Sequence, residues 1–430
     1  MSEDPSVCEQ AGTSTIDLDE MSPYKKKACD VVLFRLIYGK ENLEAENNDG
    51  LVTFKPEMSH QIFGDSEGIF GYKNLQITIN MIHNSCRCYL DIESSGKVRK
   101  KDVKADDIIK SLHPFLPLNY TLSYDDFVLW LEDEEDDKIY GKYMYSFKDS
   151  NNTTMKWFPN DNIVPEYRVT LNNTQNNEFR EFHARFQTFI MWFIDAANFI
   201  QLDDERWIIF YVYEEFLHPV KKKIFRTPIA FCSVYRFYAY PSNVRPRISQ
   251  FFVLPSHQKR GIGTALFETV AKFLRRQDEV IDFSVEAPTM AFRKMRDLED
   301  CAVVHGALIE LNCDFFKINS KSIFDIGLRC KINRKQMQRV YDILGLYYTS
   351  LTGHIPYRKF IIYIKNRIMA ASERESRPGK MFCNSEREAI ASGSQEQSDV
   401  DYKTYLGDIE ASMEYFKTHL NSWRQRRGLV

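Results

Sequence analysis

The chain has 430 residues, enough for two or three domains, and 43% of them are hydrophobic, enough for a large buried core. Its 57 basic and 60 acidic residues leave a formal net charge of -3, without the basic excess of a general nucleic-acid binder. Gly (18) and Pro (15) are too few for a collagenous or wholly disordered chain, and no apolar run approaches the ~20 residues of a membrane-spanning helix.

Residues 1–22 are polar and aperiodic, which predicts a disordered tail. They have no basic flank and no apolar core, so they do not read as a signal peptide. Nine cysteines, an odd number, fit reduced thiols in the cytoplasm or nucleus. Cys86 and Cys88 form half a metal site at most, and two buried thiols on a strand is the ordinary reading. From 23 to 150, short aromatic and β-branched runs such as Leu75–Ile82 and Cys86–Ile92 predict a strand-rich mixed domain. The acidic run Glu132–Asp137 reads as a solvated loop, with a dock for a basic partner as the sharper alternative.

Residues 178–200 carry apolar positions at helical spacing and predict one long helix. Three dense strand runs follow, Trp207–Tyr213, Ile229–Tyr235 and Ile248–Leu254. A glycine turn then opens a helix over about 261–276, followed by a strand, Val280–Val285, and a helix after Pro288. That order predicts a mixed α/β domain over 151–300. A helical domain is expected over 301–370 and a flexible linker over 371–400. Residues 401–430 read as an amphipathic helix, with Tyr405, Ile409, Met413, Phe416 and Leu420 on one stripe.

The segment that carries chemistry is Gln258-Lys259-Arg260-Gly261-Ile262-Gly263-Thr264. A strand ends, two glycines make a tight turn, and an apolar-periodic helix begins (Ile262, Leu266, Val270, Phe273). Backbone N–H groups at a helix start lack partners and sit at the positive end of the macrodipole. Small residues let those groups approach a diphosphate, and Lys259 and Arg260 add positive charge. The P-loop pattern is absent, and a dinucleotide fingerprint fails because Leu266 and Phe267 stand where its third small residue would close it.

The turn instead fits [QR]-x-x-G-x-[GA], the acyl-CoA pyrophosphate signature of the GNAT acyltransferases. Its flanks, Arg245-Pro-Arg-Ile-Ser-Gln250 and Val285-Glu-Ala-Pro288 with Met295-Arg-Asp297, resemble the type B histone acetyltransferase catalytic subunit family. So do His60-Gln-Ile-Phe-Gly-Asp65, Phe70-Gly-Tyr-Lys73, Met191-Trp-Phe-Ile194, Asp203–Trp207 and Arg339–Leu344. The resemblance covers roughly residues 50–370. It implies a GNAT core with a strand-rich N-terminal domain and a helical C-terminal domain. It also implies acetyl-CoA as co-substrate with no metal, and transfer to lysines in the tail of free histone H-four. A WD-repeat histone-binding subunit is implied as partner, with residence in nucleus and cytoplasm, and neither DNA nor membrane is expected to bind directly.

By that resemblance Glu286 stands at the general base position and Asp195 matches an auxiliary acid, one methylene shorter. Phe251, Phe252 and Val253 line the pantetheine arm, and an N–H there can polarise the thioester carbonyl. Asp65, Ser66 and Glu67 touch the tail, as do Trp207, Tyr235, Arg236 and Phe237. Three departures stand out. Ala287 replaces a second acid, Ser66 breaks a run of three acids, and Ala291 lacks a hydroxyl near the cofactor. They leave two alternatives open, an acetyltransferase for another protein or small amine, and a non-catalytic histone-binding relative.

Overall fold

A computed structural model describes residues 22–44, 51–99, 103–134, 137–148, 163–218, 221–317, 320–375 and 384–428. The tail expected over 1–22 therefore lies outside the described residues, save Ser22. The N-terminal region is built on a four-stranded sheet, β1 (Val32–Ile37), β2 (Val52–Phe54), β3 (Gln76–Ile82) and β4 (Cys88–Glu93), in the order β2-β1-β3-β4. The central pair β1 and β3 is parallel, Val32 opposite Ile77 through Ile37 opposite Ile82. Cys86 and Cys88 are buried; Cys88 opens β4, whereas Cys86 sits in the preceding turn at φ +58.

Helix α1 (Tyr124–Asp133) starts where Ser123 accepts from the Asp126 N–H at 3.2 Å, with Asp125 and Asp126 favourably placed in its first turn. The acidic run begins inside α1, and its last residue is not solvated. Asp137 is buried, accepts the Arg226 N–H at 2.7 Å and faces His83 at 3.4 Å and Lys223 at 3.6 Å.

The second sheet has six strands: β5 (Lys142–Phe147), β6 (Glu166–Asn172), β7 (Trp207–Leu217), β8 (Ile224–Ala239), β9 (Asn243–Val253) and β10 (Ser284–Val285). They lie in reverse chain order, antiparallel throughout except for the parallel pair β9–β10. Strand β5 falls before residue 150 yet pairs with β6, so the expected boundary there gives one strand of the second sheet to the first domain. The two regions also share one core: Phe34 of β1 packs on Phe189 at 5.4 Å and on Trp192 at 5.7 Å.

Helix α2 (Asn177–Phe186) is capped by the Asn176 side chain and continues through two short turns to Phe193, where the chain turns extended. The single helix expected over 178–200 therefore stops seven residues early. Helix α3 (Ile262–Arg276) covers the opposite face of the sheet, its Phe273 edge-on to Phe210 of β7 at 5.4 Å. Helix α4 (Met290–Glu310) runs straight through the boundary expected at 300, so the catalytic and helical parts share an element.

The helical part adds α5 (Ser320–Arg329), α6 (Arg334–Thr352), α7 (His354–Glu375) and α8 (Asn384–Arg426). Residues 384–400, expected to be a linker, belong to α8. Glu, Arg, Ala and Gln are good helix formers even without an apolar stripe. Ile409, Met413, Phe416 and Leu420 of α8 are buried against α4 and α6. Arg339 on α6 ties three helices together, reaching Asp297 at 2.7 Å and Asp408 at 2.8 Å.

Candidate active site

The turn between β9 and α3 is an open cradle of backbone donors. A short helical turn over Pro255–His257 leads to Lys259 at φ +60 and Gly261 at φ +80, left-handed values that glycine adopts freely. Gly261 is the N-cap, and no side chain caps the helix. The first intrahelical donor is the Ala265 N–H, to Gly261 O at 3.0 Å, which leaves the amides of Ile262, Gly263 and Thr264 ahead of it. A Cβ on Gly263 would meet Phe251 and Val253 at 3.6 Å, ordinary contact. Packing alone does not demand glycine there. A diphosphate fits this donor set, and Lys259 stands exposed beside it.

Arg260 does not add its charge to that cradle. Its guanidinium turns inward over the Tyr167 ring at 5.6 Å, bonded to the Tyr167 hydroxyl and 4.0 Å from Glu214. Glu214 is fully buried on β7 and accepts from the Tyr167 hydroxyl at 3.1 Å; the His257 ring lies 3.3 Å from its other oxygen. A buried carboxylate thus anchors the floor of the turn from below. Sequence reading missed it, because Glu214 stands in an unremarkable strand run.

Strands β9 and β10 pair only at Arg247–Ser284 and Ile248–Val285, with one further bond from the Glu286 N–H to Ile248 O at 2.9 Å. Opposite, the β8–β9 register slips between Ser233 and Val234, so Ser249 is the extra residue of a bulge. A bulge bends its strand, and here the two strands part. Leu254 donates to Ile229 O at 2.8 Å, so antiparallel alternation turns the backbone N–H groups of Phe251 and Val253 to the open side. The Phe252 side chain packs inward on Phe193 at 5.2 Å. Gln258 donates from its side-chain amide to Val253 O at 3.2 Å. Glu286 is exposed at the parting point, where its carboxylate accepts from the Ser249 hydroxyl at 2.8 Å.

Asp195 is not on a helix. It sits in the turn after Phe193, beside Ala196 at φ +52, three-quarters exposed. The turn is pinned by Gln61 to Ala197 O at 3.1 Å and by Gln250 of β9 to Asn198 O at 2.7 Å. His60 reaches Asp195 at 3.0 Å, and its other ring nitrogen lies 3.9 Å from Glu67. Glu67 also accepts the N–H groups of Ser59 and His60 at 2.7 and 3.1 Å, which hold its carboxyl below the usual range. Asp65 and Ser66 are exposed beside it. His60 carried no signal of its own in the sequence; its partner Asp195 is 135 residues away.

Trp207, Tyr235 and Phe237 form a ring ladder, 4.8 Å and 4.7 Å between centroids. The Tyr235 hydroxyl donates to Asp204 at 2.9 Å, and Arg206, clasping the same carboxylate, holds it well below the usual range. Arg236 points to the other face and pairs with Glu279 at 3.1 Å, so it stands apart from the ladder. Tyr235 lies opposite Arg247, one step from Ile248, which brings the ladder next to Glu286.

An acyltransferase sheet with parted strands, a donor-rich turn and a carboxylate between them defines an acetyl-CoA-dependent acetyltransferase, and residues 172–292 match the acetyltransferase (GNAT) family. Residues 24–195 match the family described as histone acetyl transferase HAT1 N-terminus. Relatives described as histone acetyltransferase type B catalytic subunits include those of Homo sapiens and Mus musculus. Each is 31% identical over 83% of this chain, and the matches cover 83% and 84% of their own lengths. The Cryptococcus neoformans relative is 27% identical over 85% of this chain and 92% of its own. The chain belongs to the histone acetyltransferase type B catalytic subunit family.

Proposed function

We propose that the chain transfers the acetyl group of acetyl-CoA to lysines in the N-terminal tail of newly made, free histone H-four, with Glu286 as general base. The observation that carries this reading is the Glu286 carboxylate, exposed where β9 and β10 part and oriented by Ser249 at 2.8 Å. Acetyl-CoA supplies the activated acyl thioester. The amides of Ile262, Gly263 and Thr264, with Lys259, hold its diphosphate, and the open backbone edge at Phe251 and Val253 pairs with its amide-bearing arm. A lysine ammonium with an ordinary pKa near ~10.4 has to lose a proton, which a Glu286 oxygen accepts; the amine would then attack the thioester carbonyl, forming the amide C–N bond as the C–S bond breaks and CoA leaves as its thiolate.

The ladder of Trp207, Tyr235 and Phe237 supplies walls for the extended tail, and Glu67, Asp65 and Asp204 supply negative charge for its basic side chains. Asp195, held by His60, is an auxiliary group in this reading rather than the base. A WD-repeat histone-binding subunit as partner, and residence in nucleus and cytoplasm, belong to the same proposal and rest on the sequence resemblance alone.

The test is acetyl transfer from labelled acetyl-CoA to a histone H-four tail peptide, with wild type beside Glu286→Gln. Wild type is expected to transfer, and the variant to lose about 10²-fold or more while still binding acetyl-CoA, the usual scale for a positioned base. Equal transfer by both would move the base elsewhere, and wild type inactive on this tail would remove the substrate assignment.

A further inference from the structure

A groove of about 1300 Å³ lies between the end of the acyltransferase sheet and the helical part. One wall is Arg245, Arg247 and Asp282 from β9 and the segment before β10; the other is formed by α5, α6 and α7. Its lining carries five basic side chains against two acidic ones: Arg245, Arg247, Lys321, Arg334 and Lys335 against Asp282 and Asp325. Arg245 is matched by Asp282 at 3.2 Å. Asp325 is then the remaining acid against four cations.

The position of three of those cations is unfavourable to the fold. Arg334 and Lys335 are the first two residues of α6, which starts with the Asn333 side chain accepting from the Gln336 N–H at 3.0 Å and has no acid in its first turn. Lys321 is the second residue of α5, whose first turn also lacks an acid. Cations at the positive end of a helix dipole cost stability, so both helices add their field to the charge of the groove. The tail proposed as substrate is itself basic and would be repelled here.

We infer that this groove is a docking site for an extended acidic peptide segment of a protein partner, adjoining the proposed tail path at Phe237 and running from there along the helical part. The cavity exceeds the few hundred to ~1,000 Å³ of small-ligand pockets, which favours a chain. Its lining also carries Phe324, Leu328, Tyr341 and Tyr363, apolar and aromatic side chains that can pack between carboxylates. Asp282 and Asp325 would oppose a continuous phosphate backbone but can accept peptide N–H groups. The groove begins at Phe237 and Arg247, where the ring ladder ends. A partner holding an acidic segment there would stand beside the substrate path.

The experiment uses the full chain and a fluorescein-labelled peptide of five Glu-Glu-Phe repeats, read by anisotropy. Saturable binding is expected, weakening about tenfold or more between ~50 and ~200 mM salt. Arg334→Glu with Lys335→Glu is expected to weaken it at least tenfold while acetyl-CoA binding stays unchanged. Acids in that first turn suit the helix dipole, so the variant should fold, and Lys321→Glu repeats the test from the other helix. No saturable binding at low salt, or binding that both variants leave intact, would overturn the inference. So would a fifteen-residue oligothymidylate that binds more tightly than the peptide and is lost in the same variants. A basic tail peptide that binds better after charge reversal, with the acidic peptide unbound, would return the groove to the substrate.

Discussion

The Ser249 hydroxyl donates to the Glu286 carboxylate at 2.8 Å across the point where two strands of one sheet separate. Ser249 is the extra residue of the bulge that bends β9, so the feature that opens the sheet also orients the carboxylate. Ser249→Ala removes one hydrogen bond and no bulk from the opening. Turnover is expected to fall about three- to tenfold with the KM for acetyl-CoA unchanged, in line with a charge-assisted bond of ~1.5–3 kcal/mol partly replaced by water. Ser249→Ala combined with Glu286→Gln should be no slower than Glu286→Gln alone, because the two act as one unit. Additive losses would show that Ser249 acts by another route.

Ala287 holds φ +33, a conformation that costs an alanine more than an aspartate or asparagine. Ala287→Asp introduces the second acid that the sequence resemblance implies at this position. The variant is expected to melt at the same temperature or slightly higher, and to change kcat by less than about threefold, since Glu286 is already placed and oriented. A gain of tenfold or more, measured in the same peptide assay, would show that one carboxylate is insufficient and that the substitution limits this chain.

The turn at 258–264 was legible because its signals are local: two glycines, a strand before and a periodic helix after. The long strand runs and the buried stripe of α8 were legible for the same reason, whereas the strand expected over Val280–Val285 is formed only at Ser284–Val285, with isolated bridges at Val280 and Phe283 before it. The pairings His60–Asp195 and Glu214–His257 were not, since residues 135 and 43 positions apart carry no local mark of meeting. Asp195 was misplaced on a helix because Ile190–Ile194 keeps the apolar rhythm although the chain turns extended at Ile194, where Gln61 and Gln250 hold the following segment. Arg260 reads as surface charge until Tyr167 and Glu214 are seen beneath it, and Asp137 reads as solvated until β8 is seen to bury it.

Glu214 supports the cofactor turn without touching its open side. Glu214→Gln keeps the shape but removes the carboxylate that faces His257, Tyr167 and Arg260. Disrupting a buried charged network of this kind costs about 3 kcal/mol or more. A lower melting temperature is therefore expected, with a KM for acetyl-CoA raised about tenfold and kcat changed much less. A variant that loses kcat and keeps KM would place Glu214 in the chemistry instead of under the turn.

Stability should fall as the pH drops from about 6.5 toward 4, and His83 is a defined contributor. Its ring is buried, stacked on Tyr38 at 4.4 Å, 3.1 Å from the Thr227 hydroxyl and 3.4 Å from Asp137. Burial lowers its pKa from 6.5 to about 4, and Lys223 and Lys221 push the same way against Asp137 and Glu214. Between those two values the unfolded chain holds a proton on this residue and the folded chain does not, so acid favours unfolding there. The full effect of one such group is on the order of 3 kcal/mol. His183, pushed down to about 3, and His305, pushed down to about 4, act in the same direction. Urea unfolding at pH 6.5, 5.5 and 4.5 should therefore show decreasing stability, with a slope in His83→Gln shallower by up to about one proton. An identical slope in wild type and variant would mean that His83 is protonated in the folded protein, with the Asp137 carboxylate outweighing burial.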